Sequence, residues 1–170
     1  MRGPGSGDSG LSGLGQSGLG QSGLGPSGLG PSGRPTALLR LELSSSRSRQ
    51  AIDITHLFTA RTWPDGLLLV SVEHTTAALF LGESGSEMFE DYERVAARLV
   101  SGHGPFQHET WNPGNAQAHV LSSFLGTQLL LPVTDGRLDL GTWQRVIFLE
   151  LDGPRRRSLA VASLATQPLV

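Results

Sequence analysis

The sequence has no cysteine and no lysine, and all 13 of its basic residues are arginine. Without thiols it cannot form a disulfide framework or a zinc ribbon, and without an amine side chain it has neither a P-loop lysine nor a Schiff-base nucleophile. The absence of cysteine is compatible with a cytoplasmic location, which is the expectation here. Fifteen acidic residues leave a formal net charge of −2. With no basic block, the chain lacks the electrostatic footprint of a nucleic-acid binder. Long apolar runs are missing too. Runs such as Leu67 to Val70 and Leu129 to Leu131 fall far short of the roughly 18–20 residues of a membrane span. The first residues contain no apolar stretch of the kind a secretory leader needs.

Glycine, in contrast, is plentiful and unevenly placed: 13 of the 23 glycines fall in the first 35 residues. Residues 12 to 31 repeat Ser-Gly-Leu-Gly-Gln twice and Ser-Gly-Leu-Gly-Pro twice. A leucine every fifth position fits neither a helix nor a strand, and glycine makes ordering costly in entropy. Residues 1–35 are therefore expected to be a disordered tail, with a single folded domain over residues 36–170.

Within that domain, strands are expected at Thr36 to Leu43, Leu67 to Glu73, Ala77 to Leu81, Thr127 to Val133, Arg137 to Leu140, Trp143 to Leu151 and Arg156 to Ala165. A short helix is expected from Asp53 to Phe58, ended by the Trp63-Pro64-Asp65-Gly66 turn signal. Ser86 to Val100 has the clearest helical period, with Met88, Phe89, Tyr92, Val95, Ala96 and Leu99 forming an apolar stripe. A second main helix runs from Asn115 to Leu125, capped by Asn115 and closed by Gly126. Its stripe of Ala116, Val120 and Phe124 lies opposite the polar stripe of Asn115, His119 and Ser122. Many strands joined by short turns point to an α+β fold with packed, largely antiparallel sheets.

Strand parity singles out several polar residues. His74 continues the row of Leu68, Val70 and Val72, and Thr75 and Thr76 follow it. Read blandly, His74 is a core histidine satisfied by the backbone. Read functionally, it converges with His108 and His119, whose imidazoles suit zinc or another divalent metal. Glu150 ends the row of Val146 and Phe148, a setting in which burial can raise a carboxyl pKa for acid–base work. Arg155 and Arg157 share the parity of Leu159 and Val161. They are either partners of Asp91 or Glu150 or a clamp for phosphate. His56 and His103 read as surface residues.

Four segments occur in order: His74-Thr75-Thr76-Ala77-Ala78-Leu79, Asn115-Ala116-Gln117-Ala118-His119, Leu140-Gly141-Thr142-Trp143-Gln144, and Glu150 to Arg157. Together they resemble the YjbQ family, whose members are named secondary thiamine-phosphate synthases. The resemblance spans residues 37 to 165. It implies an α+β fold of packed antiparallel sheets, a homotrimer, and a site of His74, His108 and His119 surrounded by Asp91, Gln144, Glu150 and Arg155. Where the family shows Asn-Glu after its histidine strand, this chain has Gly82-Glu83, and the aspartate that often follows is replaced within Ser84-Gly85-Ser86.

The implied reaction joins hydroxymethylpyrimidine diphosphate to thiazole phosphate and releases diphosphate. It would use His74, His108, His119 and Glu150 as acid–base or hydrogen-bonding groups. Thr75, Thr76, Asn115, Gln144, Arg155 and Arg157 would hold the phosphorylated substrates. A divalent metal, Mg²⁺ or Zn²⁺, would be the only cofactor. Two alternatives stand beside it: a metal-dependent hydrolase of a small phosphorylated metabolite, and a non-catalytic trimeric ligand-binding protein.

Overall fold

The computed structural model describes residues 38–110 and 114–166. The expected tail over residues 1–35 lies outside them. Eight strands and three α-helices follow one another as β1 (Leu39–Ser44), β2 (Gln50–Asp53), α1 (His56–Thr59), β3 (Gly66–Val72), β4 (Ala77–Gly82), α2 (Ser86–Val100), α3 (Ala116–Leu125), β5 (Gln128–Thr134), β6 (Arg137–Leu138), β7 (Arg145–Glu150) and β8 (Arg156–Ala165). A 3₁₀ turn, Gln107–Thr110, precedes α3. No helix among the described residues is long and apolar enough to cross a membrane.

All pairings are antiparallel. They build a five-stranded sheet in the order β1-β8-β3-β5-β6 and a three-stranded sheet in the order β2-β7-β4. Period-two alternation explains how the sheets meet. Leu68 and Val70 of β3, Leu131 of β5, and Leu159 and Val161 of β8 point inward against Leu79 of β4 and Val146 and Phe148 of β7. The other face of the small sheet, with Ala51, Ala78, Ile147 and Leu149, packs on Ala96 and Val100 of α2 and on Ala118 and Leu121 of α3. Strand β7 is thus covered on both faces, which is why Val146 to Leu149 read as unbroken apolar sequence.

Strand β6 is shorter than expected, ending at Leu138 rather than Leu140, and the structure departs further from the sequence-based expectation at four places. Asp53 ends β2 instead of starting a helix, and its Oδ1 accepts from the Thr55 backbone N–H at 2.9 Å, so α1 begins only at His56. Strand β7 begins at Arg145 rather than Trp143, because a turn closed by Gln144 N–H to Gly141 O (2.9 Å) holds the preceding residues away from the sheet. Helix α2 has the expected bounds but a rotated face: Val95 and Leu99 are half exposed, while Ala96 and Val100 are buried. The cause is Glu93, which turns inward to accept the Ala51 N–H at 3.0 Å and Arg47 at 2.7 Å. It thereby satisfies a donor on edge strand β2 that no neighbouring strand could reach.

Helix α3 is the fourth departure. The Ala116-Val120-Phe124 stripe does not face the sheet as a unit, since Phe124 is 85% exposed. Buried Ser122 instead donates to Ala77 O at 2.7 Å, so the polar stripe looks inward. Strand β4 is at the edge of its sheet, so its outward Ala77 carbonyl has no strand partner and Ser122 satisfies it. Asn115 precedes the helix without making a side-chain cap.

Candidate functional site

The inward rows of β7 and β8 end in Glu150 and Arg157, and the two meet at the open end of the sandwich. Arg157 Nε donates to Glu150 Oε2 at 2.8 Å, and Nη2 donates to Glu150 Oε1 and to Thr76 Oγ1 (2.9 Å). Ser45 Oγ and the backbone N–H groups of Leu151 and Asp152 also donate to the carboxylate. Both charges are buried, with side-chain exposures of 3% and 0%. Burial pushes the Glu150 carboxyl up, but the hydrogen bond from Arg157, followed by those from Asp152 and Ser45, holds it below its ordinary value. The expected raised pKa is therefore replaced by a lowered one. Glu150 is a buried anion whose lone pairs are occupied, and Arg157 is engaged by Glu150 and Thr76 rather than open to phosphate.

Gly153 closes this network from the turn side. A Cβ there would lie 2.7 Å from Ser45 Oγ and 2.8 Å from Glu150 Cγ, with the Arg47 carbonyl closer still. Gly153→Ala is expected to destabilise the fold by about 2–4 kcal/mol through overpacking and displacement of the buried pair. Urea denaturation measures this, and an unchanged midpoint would refute it.

Beside this frame lie the histidines. His74 Nε2 accepts the Ser158 backbone N–H at 3.2 Å, which puts the ring proton on Nδ1. Burial lowers its pKa, and the nearby positive charge of Arg157 lowers it further. His74 and Thr75 line a polar cleft of about 440 Å³ with Ser122, Ser123 and Gln128. One helical turn earlier on α3, His119 Nδ1 lies 3.1 Å from Thr75 O. A carbonyl only accepts, so Nδ1 carries the proton and Nε2 keeps its lone pair. His108, from the 3₁₀ turn, packs edge-on against His119 with ring centroids 5.1 Å apart. Thr76 is buried beneath them, bonded to Arg157.

The structure thus joins His108 to His119 and, through the Thr75 carbonyl, brings His119 beside the loop that carries His74. Among the described residues no three histidine, cysteine or acidic side chains gather into a metal-ligating group. His74 has its Nε2 occupied, so the pair His108 and His119 offers two imidazoles at most, fewer than a protein-built zinc site needs. Arg155 is exposed and grips Asp152 through Nε to O (2.7 Å) and Nη2 to Oδ2 (2.8 Å). Asn115 Oδ1 is buried without a partner among the described residues.

Two expected members lie elsewhere. Asp91 is on the exposed side of α2, paired with Arg94. Gln144 sits at the far end of β7: Arg145 pairs with Gly82 and Glu150 with Ala77. Five residue steps at roughly 3.4 Å put about 17 Å between those ends. Gln144 Oε1 accepts the Gly141 N–H at 2.9 Å. The glycine at 82 has a local reason, since a Cβ there would come 2.6 Å from the Tyr92 hydroxyl, which donates to Glu83 O at 3.1 Å. Ser45 and Gly153 are members of the Glu150 network that sequence reasoning missed. The Asp-Gly-Pro turn signal was the only trace of the second.

Residues 39–166 match the family described as UPF0047 protein YjbQ-like. A UPF0047 protein of Archaeoglobus fulgidus is 38% identical over 127 residues, covering 74% of this chain and all of that one. UPF0047 protein YugU of Bacillus subtilis is 33% identical, covering 71% and 94% respectively. Among solved structures, a hypothetical protein from Aeropyrum pernix K1 superposes with a TM-score of 0.70 at 33% identity, covering 76% of this chain and 99% of that one.

Proposed function

Since the chain belongs to the UPF0047 YjbQ-like family, we propose that it is a transferase of the thiamine-phosphate synthase type working from the cleft beside His74, His108 and His119. The observation that carries this reading is the orientation of His119, whose Nδ1–H is fixed on the Thr75 carbonyl so that Nε2 is presented as a hydrogen-bonding and proton-handling atom. In the reaction, the thiazole nitrogen attacks the pyrimidine methylene carbon. The C–O bond to diphosphate breaks, and its electron pair leaves on the diphosphate oxygen. Such a displacement needs positioning and charge neutralisation more than covalent help. His119 and His108 hold the departing oxygen, and Arg155, the exposed guanidinium next to the cleft, takes the phosphate role that buried Arg157 cannot. Diphosphate enters as its magnesium salt, so the metal belongs to the substrate.

A homotrimer is part of the same proposal. It is supported by the outer face of the five-stranded sheet, where Leu130 (57% exposed) and Leu164 (42%) flank Leu67 and Leu69. Uncovered apolar surface of this kind marks an interface. Light scattering at micromolar protein tests this, and a monomer mass refutes it.

The activity test incubates the purified chain with hydroxymethylpyrimidine diphosphate, thiazole phosphate and MgCl₂ and follows thiamine phosphate by fluorescence after oxidation to thiochrome. Product above the no-enzyme rate is the expected result. Saturable binding of either substrate without turnover would overturn the transferase reading in favour of a ligand-binding protein. Phosphate release without condensation would favour a hydrolase.

A further inference from the structure

Arg40, Arg47, Arg94, Arg155, Arg156 and Arg157 each pair with a carboxylate. Arg61, Arg137 and Arg145 form no such ion pair among the described residues, and all three line two adjoining clefts on either side of α1. The first, of about 600 Å³, holds Arg145, His56 and Gln144 with Leu138 and Leu140 as an apolar wall. The second, of about 620 Å³, holds Arg61 and Arg137. Thr59 and Leu138 line both, so the clefts adjoin at the end of the helix.

The carboxylates that face these cations are few and partly engaged. Asp53, in the first cleft, accepts from the Thr55 N–H at 2.9 Å. Asp135 lies in the turn that floors the second, and neighbouring Asp65 is bonded to the Gly136 N–H at 2.9 Å. Arg145 donates Nη1 to the Thr142 and Gln144 carbonyls (3.2 and 2.7 Å) and faces Asp53, and Arg61 and Arg137 share the second cleft with Asp135, so the three guanidiniums outnumber the two lining carboxylates.

The floor is also rigid. Asp135 and Gly136 both have positive φ, 52° and 75°, as a two-residue hairpin turn between β5 and β6 requires. Trp63 N–H binds Gly136 O at 3.1 Å, and a Cβ at Gly136 would strike Thr62 Cγ2 at 2.7 Å. The Arg137 backbone is thus fixed before any ligand arrives, which lowers the ordering cost of binding.

We propose that these adjoining clefts bind a small bisphosphorylated metabolite, with one phosphate on Arg145, the other on Arg61 and Arg137, and its carbon skeleton against Leu138 and Leu140. Guanidinium groups recognise phosphate through paired N–H donors, and two separated clusters select a ligand with two anionic ends. The assignment stands apart from the transferase reading, because within the chain this site lies at the end of β7 opposite the histidines.

The test is calorimetric titration of the full-length protein with fructose 1,6-bisphosphate as probe, at low and at physiological salt. Wild type should bind saturably. The double variant Arg61→Ala/Arg137→Ala and the single variant Arg145→Ala should each weaken binding by about tenfold or more. His119→Ala should bind as wild type does, which separates this site from the histidine cleft. Arg61 and Arg137 are exposed, so melting temperatures should stay unchanged and report that the variants fold. No saturable binding by wild type, equal affinity in the double variant, or loss of binding in His119→Ala instead would each overturn the proposal.

Discussion

Arg157→Met is expected to lower stability by about 3–5 kcal/mol, because it leaves the Glu150 carboxylate buried without its counter-charge. Methionine replaces the aliphatic stem of the arginine but not its guanidinium, so the loss combines the missing counter-charge with a small cavity where the guanidinium sat. Glu150 would retain only its bonds from Ser45, Leu151 and Asp152, and Thr76 Oγ1 would lose its donor. Melting temperature should fall by more than about 10 °C for a domain of this size.

The same pair sets a pH dependence. Glu150 titrates below its ordinary value of 4.5 in the folded state. Its stabilising contribution is therefore complete above that value and is lost as pH falls through the lower folded pKa. In Arg157→Met this acid sensitivity should shrink, because the folded carboxyl no longer has a strong reason to stay ionised. Urea midpoints from neutral pH down to about pH 3 measure both effects. A variant as stable as wild type with the same acid profile would show that the pair contributes nothing.

His119→Ala is expected to cut thiamine-phosphate formation by about a hundredfold while leaving the melting temperature within a few degrees of wild type. The ring is half-buried at the edge of α3, and its Nδ1 bonds to a carbonyl that water can reach once the imidazole is gone. Removing a group that holds a departing oxygen costs rate; removing a core residue costs stability. His108→Ala should follow His119→Ala in activity, since the two rings touch. Measuring turnover and melting on the same samples decides the matter. Activity lost only in proportion to unfolded protein would make the histidines structural.

Much of this frame was legible before the fold was known, because strand parity is a strong signal. It turned Val146, Phe148 and Glu150 to one side and Arg157 inward with Leu159, and both placements hold. Parity does not tell which residue of a facing sheet stands opposite, however. Whether Arg157 would meet Glu150 or a ligand depended on how the two sheets stack. The pKa direction at Glu150 was misjudged for the same reason: an apolar row predicts desolvation, whereas the five donors that reverse it come from Ser45, Arg157 and the chain just after Glu150. The rotation of α3 was hidden because Phe124 looks like a core residue in sequence. Only the unsatisfied Ala77 carbonyl explains why Ser122 faces the sheet instead. Strand β2 is four residues long, between Arg49 and Ile54, too short for alternation to stand out.

The position of β8 between β1 and β3 has a consequence for biosynthesis. Leu39 pairs with Val161 and Ser44 with Arg156, so the earliest described strand finds its only neighbour in the last one. On a translating ribosome β1 must wait, unpaired, while β2 to β7 emerge. Arg157, which ties the large sheet to Glu150, arrives with the same late segment. A nascent chain halted before β8 would display an open edge on β3 and an unshielded carboxylate in its half-built interior. Such a species is a natural client for chaperones that hold exposed strands. Closure of the sandwich then waits until β8 has cleared the exit tunnel.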